Sequence, residues 1–174
     1  MTFRRATIHD LDRIEEIYSQ IHDEEEAGRA TIGWIRAIYP TRATAETAIR
    51  KGTMYVEESG GRIVAAAKID QEQVPEYADA AWTQEVPADQ VLVLHALVVS
   101  PAESGKGCAT AFVRFYENFA REHGYPCLRM DTNERNFAAR ALYRKLGYRE
   151  IGIVSCVFNG IPNVRLVCLE KILD

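Results

Sequence analysis

The stretch VLVLHALVV, Val91 to Val99, constrains the fold more than any other part of this chain. A strand with one wet face alternates apolar and polar residues. A near-continuous run of Val and Leu instead marks a strand covered on both faces, as in parallel or mixed sheets flanked by helices. The run breaks at Pro101, passes Gly105-Lys106-Gly107, and enters a segment where Phe112, Phe115, Tyr116 and Phe119 recur at helical spacing. A second short apolar run, Cys127 to Asp131, follows. Strand, helix, strand at this spacing implies a right-handed crossover between two parallel neighbours.

The other segments fit around that unit. Phe3 to Thr7 reads as a short first strand, and Leu11, Ile14, Ile17, Tyr18 and Ile21 predict a helix capped by Asp10. Trp34, Ile35 and Ile38 predict a second short helix stopped by Pro40, and Ala43 to Lys51 a third closed by Gly52. Thr53 to Glu57 and Arg62 to Ile69 are strand-like, joined by the turn Ser59-Gly60-Gly61. From Gln71 to Gln90 the periodicity lapses around Pro75 and Pro87, which predicts a long loop, and long ordered loops are more often functional than decorative. Ala139, Leu142, Tyr143 and Leu146 mark a last helix closed by Gly147. Arg149 to Phe158 and Val164 to Ile172 are strands flanking the turn signal Asn159-Gly160. With no repeat and no linker, residues 1–174 are expected to form one mixed α/β domain.

Composition narrows the partners. The apolar fraction of 47% and charged fraction of 26% are those of an ordinary globular chain. A net charge of −4 offers no general attraction to nucleic acid or an anionic membrane, so neither partner is expected. No run of 18 apolar residues occurs, and the N-terminal stretch lacks a signal-peptide core, so the expected location is cytoplasmic. The four cysteines, Cys108, Cys127, Cys156 and Cys168, form no CxxC pair and have no His at metal spacing. No metal is expected, and the thiols read as reduced and mostly buried. Cys156 and Cys168 sit on the two strands of the last hairpin, where they could face each other.

Gly105 and Gly107 free the backbone N–H groups at a helix start, where the helix dipole is positive, and so suit a phosphate. A strand-to-helix turn that merely requires glycine has the same pattern. A P-loop fails because Lys106 is followed by Gly107 rather than Ser or Thr, and a dinucleotide fingerprint fails for want of a third glycine. The downstream string NFAARALYRKLGY, Asn136 to Tyr148, narrows the choice. Together the two segments resemble the GCN5-related N-acetyltransferase family. Its signature loop is Arg or Gln, two residues, Gly, one residue, then Gly or Ala. Gly107 and Ala109 match, and Ser104 replaces the usual Arg or Gln. Its second pattern is Asn, two residues, Ala, two residues, Leu-Tyr, then Gly and an aromatic. Asn136, Ala139, Leu142, Tyr143, Gly147 and Tyr148 all match.

The resemblance implies a single-domain α/β fold whose mixed central sheet splays between two parallel strands and carries helices on both faces. It implies an acetyl-CoA-dependent N-acetyltransferase that moves an acetyl group directly to a primary amine, with acetyl-CoA as co-substrate. The amides of Ser104, Gly105, Lys106, Gly107, Cys108, Ala109 and Thr110 would hold the pyrophosphate. The pantetheine arm would pair with Leu97, Val98 and Val99 and meet Asn136 from the other side. Tyr143 is the candidate acid for the leaving thiolate; the competing reading is one more core residue on an amphipathic helix. His95 lies in LHALVVSP, which resembles the same strand of arylalkylamine N-acetyltransferases, where a histidine belongs to a water-linked proton relay. Its competing reading is a satisfied core histidine. The loop Gln71 to Gln90 carries Glu72, Glu76, Asp79, Glu85 and Asp89 and no Lys or Arg. With Trp34, Tyr39, Tyr77 and Trp82 near the implied acceptor entry, a small cationic amine is the expected substrate. Acetylation of protein N-termini or lysines, and a noncatalytic acyl-CoA-binding module, stay open as alternatives. Members of this fold often dimerise through their late strands, so a homodimer is also an open expectation.

Overall fold

Side-chain alternation along the central strands decides which layer each helix joins. The computed structural model describes residues 1–174. Its strands are β1 (Thr2–Arg5), β2 (Met54–Ser59), β3 (Arg62–Asp70), β4 (Val91–Val99), β5 (Cys127–Asn133), β6 (Arg149–Phe158) and β7 (Ile161–Ile172). Its helices are α1 (Leu11–Glu26), α2 (Arg42–Arg50), α3 (Cys108–His123) and α4 (Phe137–Lys145). In β2, Tyr55 joins Phe112, Val113 and Tyr116 of α3 and Tyr143 of α4. Met54 and Val56, pointing the other way, join Leu11, Ile14 and Ile17 of α1 and Ala45 and Ala48 of α2. Helices thus cover both faces, and β4 is apolar because it is covered on both: Leu92 and Leu94 meet the α3 side, Val91 and Val93 a third cluster built on Tyr77 and the last hairpin.

The strand order is β1-β2-β3-β4-β5-β7-β6. Only β4 and β5 run parallel, joined by α3, as the crossover spacing required. Their pairing runs from Val91↔Cys127 to Leu94↔Met130 and stops there. Beyond that point the two strands splay. On the other edge of β4, Ala66 pairs with Val98 and Lys68 with His95, so β4 carries one residue more than its partner. Within that bulge Ala96 adopts φ 49°, a left-handed conformation that non-glycine residues hold at a cost of about 1–3 kcal/mol. The extra residue inverts the alternation: Val98 now faces α1 and α2, while Leu97 and Val99 pack towards α3. The bulge and the splay coincide, and together they open the sheet at its middle.

Several local expectations are corrected. Trp34 to Ile38 is not a helix. The N–H groups of Ile38 and Tyr39 both bond to the Ile35 carbonyl, at 2.8 and 2.9 Å, and Ile35 and Tyr39 form an isolated bridge. The stretch between Gly33, at φ 82°, and Pro40 is too short to propagate a helix, and Arg36 is drawn to Asp23 and Glu26 of α1. Asp10 stands at the N-cap position of α1, but its side chain makes no cap bond to that helix. Its carboxylate accepts the Thr7 N–H at 2.7 Å and pairs with Arg4, fixing a single 3-10 turn, Ile8–Asp10, ahead of the helix. Cys156 pairs with Val164 and Cys168 with Gly152, so the two thiols are not cross-strand partners; all four cysteines are free.

Candidate active site

The splay opens a cavity of about 560 Å³. Its walls are the bulged end of β4, from Leu94 to Val99, the end of β5, from Asp131 to Asn133, and the face of α4 bearing Asn136, Ala139 and Tyr143. Trp34, Tyr39 and α2 close one side, and Phe158 and Asn159 of the last hairpin another. Past Leu94 the β4 backbone has no partner in β5, so the edge of Leu97, Val98 and Val99 facing the cleft is open to a ligand.

Two α4 side chains offer unused groups there. Asn136 caps the helix through Oδ1, which accepts the Ala139 N–H at 3.3 Å, leaving its NH2 without a protein partner. Tyr143 is 7% exposed, and its hydroxyl, which has no protein partner, is open to the cavity rather than sealed in the core. Burial raises its pKa, and the nearby Asp131 charge adds to the rise, so the phenol stays protonated at neutral pH.

The loop Ser104 to Thr110 leads into α3. Gly105 and Gly107 sit at φ 76° and 87°, and a Cβ at either would meet nothing within 4 Å. Backbone conformation, not crowding, therefore requires glycine. The Ser104 and Lys106 N–H groups are spent on the Pro101 and Glu103 carbonyls, at 3.1 and 3.2 Å, which leaves the amides of Gly105, Gly107, Cys108, Ala109 and Thr110 without a backbone partner. Gly107 precedes the first turn without supplying a side-chain cap. Lys106 pairs with Glu103 at 3.1 Å. The Cys108 thiol is pushed up by burial, with Glu57 and Glu103 adding to the effect, so it is not a poised thiolate.

Two titratable side chains, Asp131 and His95, line the cavity where β4 leaves β5. Asp131, at the end of β5, accepts a hydrogen bond from the Tyr77 hydroxyl at 2.8 Å. Burial pushes its carboxyl up to about 6, against the pull of Tyr77 and His95. Burial raises the pKa of Tyr39 and Tyr143, and the Asp131 charge adds to both shifts. His95 lies where β4 leaves β5, and its Nε2 stands 3.1 Å from Asp70 Oδ1.

The four aromatic residues expected at the acceptor entry divide. Trp34 and Tyr39 line the cavity, with their rings edge to face at 5.8 Å. Tyr77 and Trp82 do not. Tyr77 is buried behind Asp131, and Trp82 lies under the Arg129 guanidinium, 3.9 Å from the ring centroid, with its Nε1–H bonded to the Tyr77 carbonyl. The cation that Trp82 binds is the protein's own. Of the five acidic residues in the loop Gln71–Gln90, only Glu72 lines the cavity, and it is paired with Lys68 at 2.8 Å. Glu72 and Val74 at its start line the cavity, and the rest of the loop, with Tyr77 and Trp82, packs against β5 and the last hairpin.

A model of the acetyltransferase (GNAT) family matches residues 11–148, which takes in the splayed strands, the glycine loop and the Asn136 helix. The chain belongs to the GNAT acetyltransferase family. Among curated GNAT relatives it is 31% identical over 102 residues to N-acetyltransferase family 8 member 2 of Rattus norvegicus, covering 58% of this chain and 40% of that protein. It is 30% identical over 80 residues to the streptothricin acetyltransferase of Streptomyces lavendulae, covering 46% and 39%. The matches therefore span well under half of each of these relatives. A GNAT acetyltransferase from Streptococcus agalactiae 2603 has the same fold, with a TM-score of 0.82 at 24% identity over 99% of this chain and 95% of the other. Within this GNAT fold, Asp70 and the contact of Tyr77 with Asp131 escaped the sequence reading, in which Asp131 ends a strand as a structural cap or a residue that orients water. Asp131 had one legible signal, its place at the end of the parallel partner of β4. Asp70 had none, because its place beside His95 depends on the β3–β4 register.

Proposed function

We propose that this chain transfers the acetyl group of acetyl-CoA to the primary amine of a small molecule, by direct attack with both substrates bound. The observation that carries the reading is the cavity itself: it joins an unpaired strand edge, an unused tyrosine hydroxyl and two proton acceptors. The groups present fit acetyl-CoA. The amides of Gly105, Gly107, Cys108, Ala109 and Thr110, which have no backbone partner, suit the pyrophosphate, while the open β4 edge and the Asn136 NH2 suit the pantetheine amides. The thioester supplies an activated acetyl group with a good leaving group.

The protein's own residues do the rest. Trp34 and Tyr39 present aromatic faces, and Asp131 a carboxylate, to the incoming ammonium; each cation–π contact is worth about 0.5–2 kcal/mol. His95 takes a proton from the ammonium through water, freeing the nitrogen lone pair. A backbone N–H at the splay, that of Leu97 rather than of Val98, whose N–H faces β3, polarises the carbonyl, and Tyr143 gives its proton to the departing sulfur. The name of the Streptomyces relative, a streptothricin acetyltransferase, supports a small-molecule acceptor. The test is a panel of amines, amino acids and peptides incubated with acetyl-CoA, reading free CoA and acetylated product. Release with one or more small amines is expected. Inert amines beside acetylated basic or N-terminal peptides would overturn the acceptor assignment. Binding of acetyl-CoA without turnover on any acceptor would favour a noncatalytic module.

A further inference from the structure

His95 is one of a buried pair. Its side chain is 9% exposed and that of Asp70 14%, and the two meet at 3.1 Å. Asp70 closes β3 at the point where β4 turns away from β5. Its Oδ1 also accepts the Glu72 backbone N–H at 2.9 Å, and its Oδ2 lies 3.1 Å from the Lys68 ammonium, which holds Glu72 in turn. Asp70 itself does not line the cavity, whereas His95 does. The carboxylate therefore reaches substrate only through the imidazole.

This geometry fixes the imidazole's chemistry. Burial by itself would push the Asp70 carboxyl up, but His95, the Glu72 N–H and Lys68 together outweigh it and hold the group below its usual range. An ionised carboxylate only accepts hydrogen bonds, so Nε2 must carry the proton. A neutral imidazole protonated on Nε2 has its lone pair on Nδ1. Nδ1 has no hydrogen-bond partner in the protein, and it is not sealed away from solvent.

We propose that Asp70 is a positioning residue of the transfer reaction: it locks His95 in the Nε2–H form and turns Nδ1 towards the cavity as proton acceptor. The inference rests on the acetyl-transfer reading above. In the step it serves, an N–H bond of the bound ammonium breaks, and the proton passes through water to Nδ1. The resulting imidazolium is held by the Asp70 charge until the proton leaves to solvent. Several other titratable groups enter the pH response of His95. Lining the same cavity are Lys68 from β3, Glu72 from the following loop, Asp131 from β5, Tyr143 from α4, and Lys51 and Tyr39 from the α2 side; of these Asp131 feels the His95 charge directly.

The test pairs a spectroscopic readout with a kinetic one. Nitrogen-15 NMR of histidine-labelled protein, assigned with His95→Gln, should show an Nε2–H tautomer at His95 in the wild type. It should show a mixture or the opposite tautomer in Asp70→Asn. On an amine that the wild type acetylates, Asp70→Asn should lower kcat by about 10²-fold, the lower end of what a general base contributes. Its acidic limb should move to lower pH, while KM for acetyl-CoA stays unchanged; Asp70→Glu should restore part of the rate. A wild-type His95 protonated on Nδ1 would overturn the proposal. So would an Asp70→Asn protein with unaltered tautomer and pH profile, or a His95→Gln protein that keeps the wild-type limb. The tautomer needs no turnover to be read, so a protein inert to every acceptor would sink the proposed function by itself and leave this measurement decisive for Asp70.

Discussion

Replacing Asp131 by Asn removes a charge that the folded protein holds at a cost. Burial raises the Asp131 carboxyl from 3.8 to about 6. At 1.36 kcal/mol per unit this is about 3 kcal/mol of folding free energy. The folded state binds the proton more tightly than the unfolded chain. Asp131 therefore contributes its full stability below about pH 4 and loses it as the pH rises through about 6. The amide that Asp131→Asn introduces stays neutral throughout, and its oxygen can still accept the Tyr77 hydrogen bond. At pH 4 the two proteins should be nearly equal in stability, and the variant should pull ahead by about 3 kcal/mol at pH 7 and above. For a chain of this length that corresponds to a midpoint roughly 6–12 °C higher. Urea and thermal unfolding of the ligand-free proteins, run side by side from pH 4 to pH 8, measure the difference directly, because every other titrating group is shared. The same variant should acetylate amines more slowly and with a raised amine KM, since the ammonium loses its carboxylate, while KM for acetyl-CoA stays put. A site that gains stability and loses function is strained for its task. Stability curves that stay parallel across the pH range would refute the reasoning, as would a variant less stable than wild type at pH 7.

Further outcomes follow from the same geometry. Tyr143→Phe removes a hydroxyl with no protein partner, so stability should hold while turnover falls by about 10²–10⁴-fold; unaltered turnover across pH would remove Tyr143 from the mechanism. Gly107→Glu places a carboxylate over the uncovered amides, and calorimetry on the folded variant should show acetyl-CoA affinity lost; unchanged affinity would place the cradle elsewhere. Glu85→Lys with Asp89→Lys reverses loop charges that do not line the cavity, so amine KM should change little; a rise that shrinks at high salt would show that the loop steers the acceptor after all.

What the sequence determined by itself is what is encoded locally. The doubly covered β4, the glycine loop and the aromatic stripe of α3 announce the parallel crossover, because strand burial, left-handed backbone and helical period are properties of neighbouring residues. The Asn136 cap and Tyr143 lie two turns apart on α4 and so share the face towards the cavity. Only the tertiary structure decided the rest. The turn at Trp34–Tyr39 looked helical by period, but the segment is short and Arg36 anchors it to α1. The acidic loop Gln71–Gln90 looked like an acceptor funnel. Only Glu72 and Val74 of it line the cavity, and its Trp82 instead packs on Arg129, buried beneath it on β5. Tyr77 meets Asp131 across 54 residues, and Asp70 meets His95 across 25. The second pair follows from the β3–β4 register, which sets Lys68 opposite His95 and Asp70 opposite Val93; the first follows from how the loop packs on β5. Local chemistry thus named the glycine loop and the cavity face of α4, and contacts between distant segments chose the partners of Asp131 and His95.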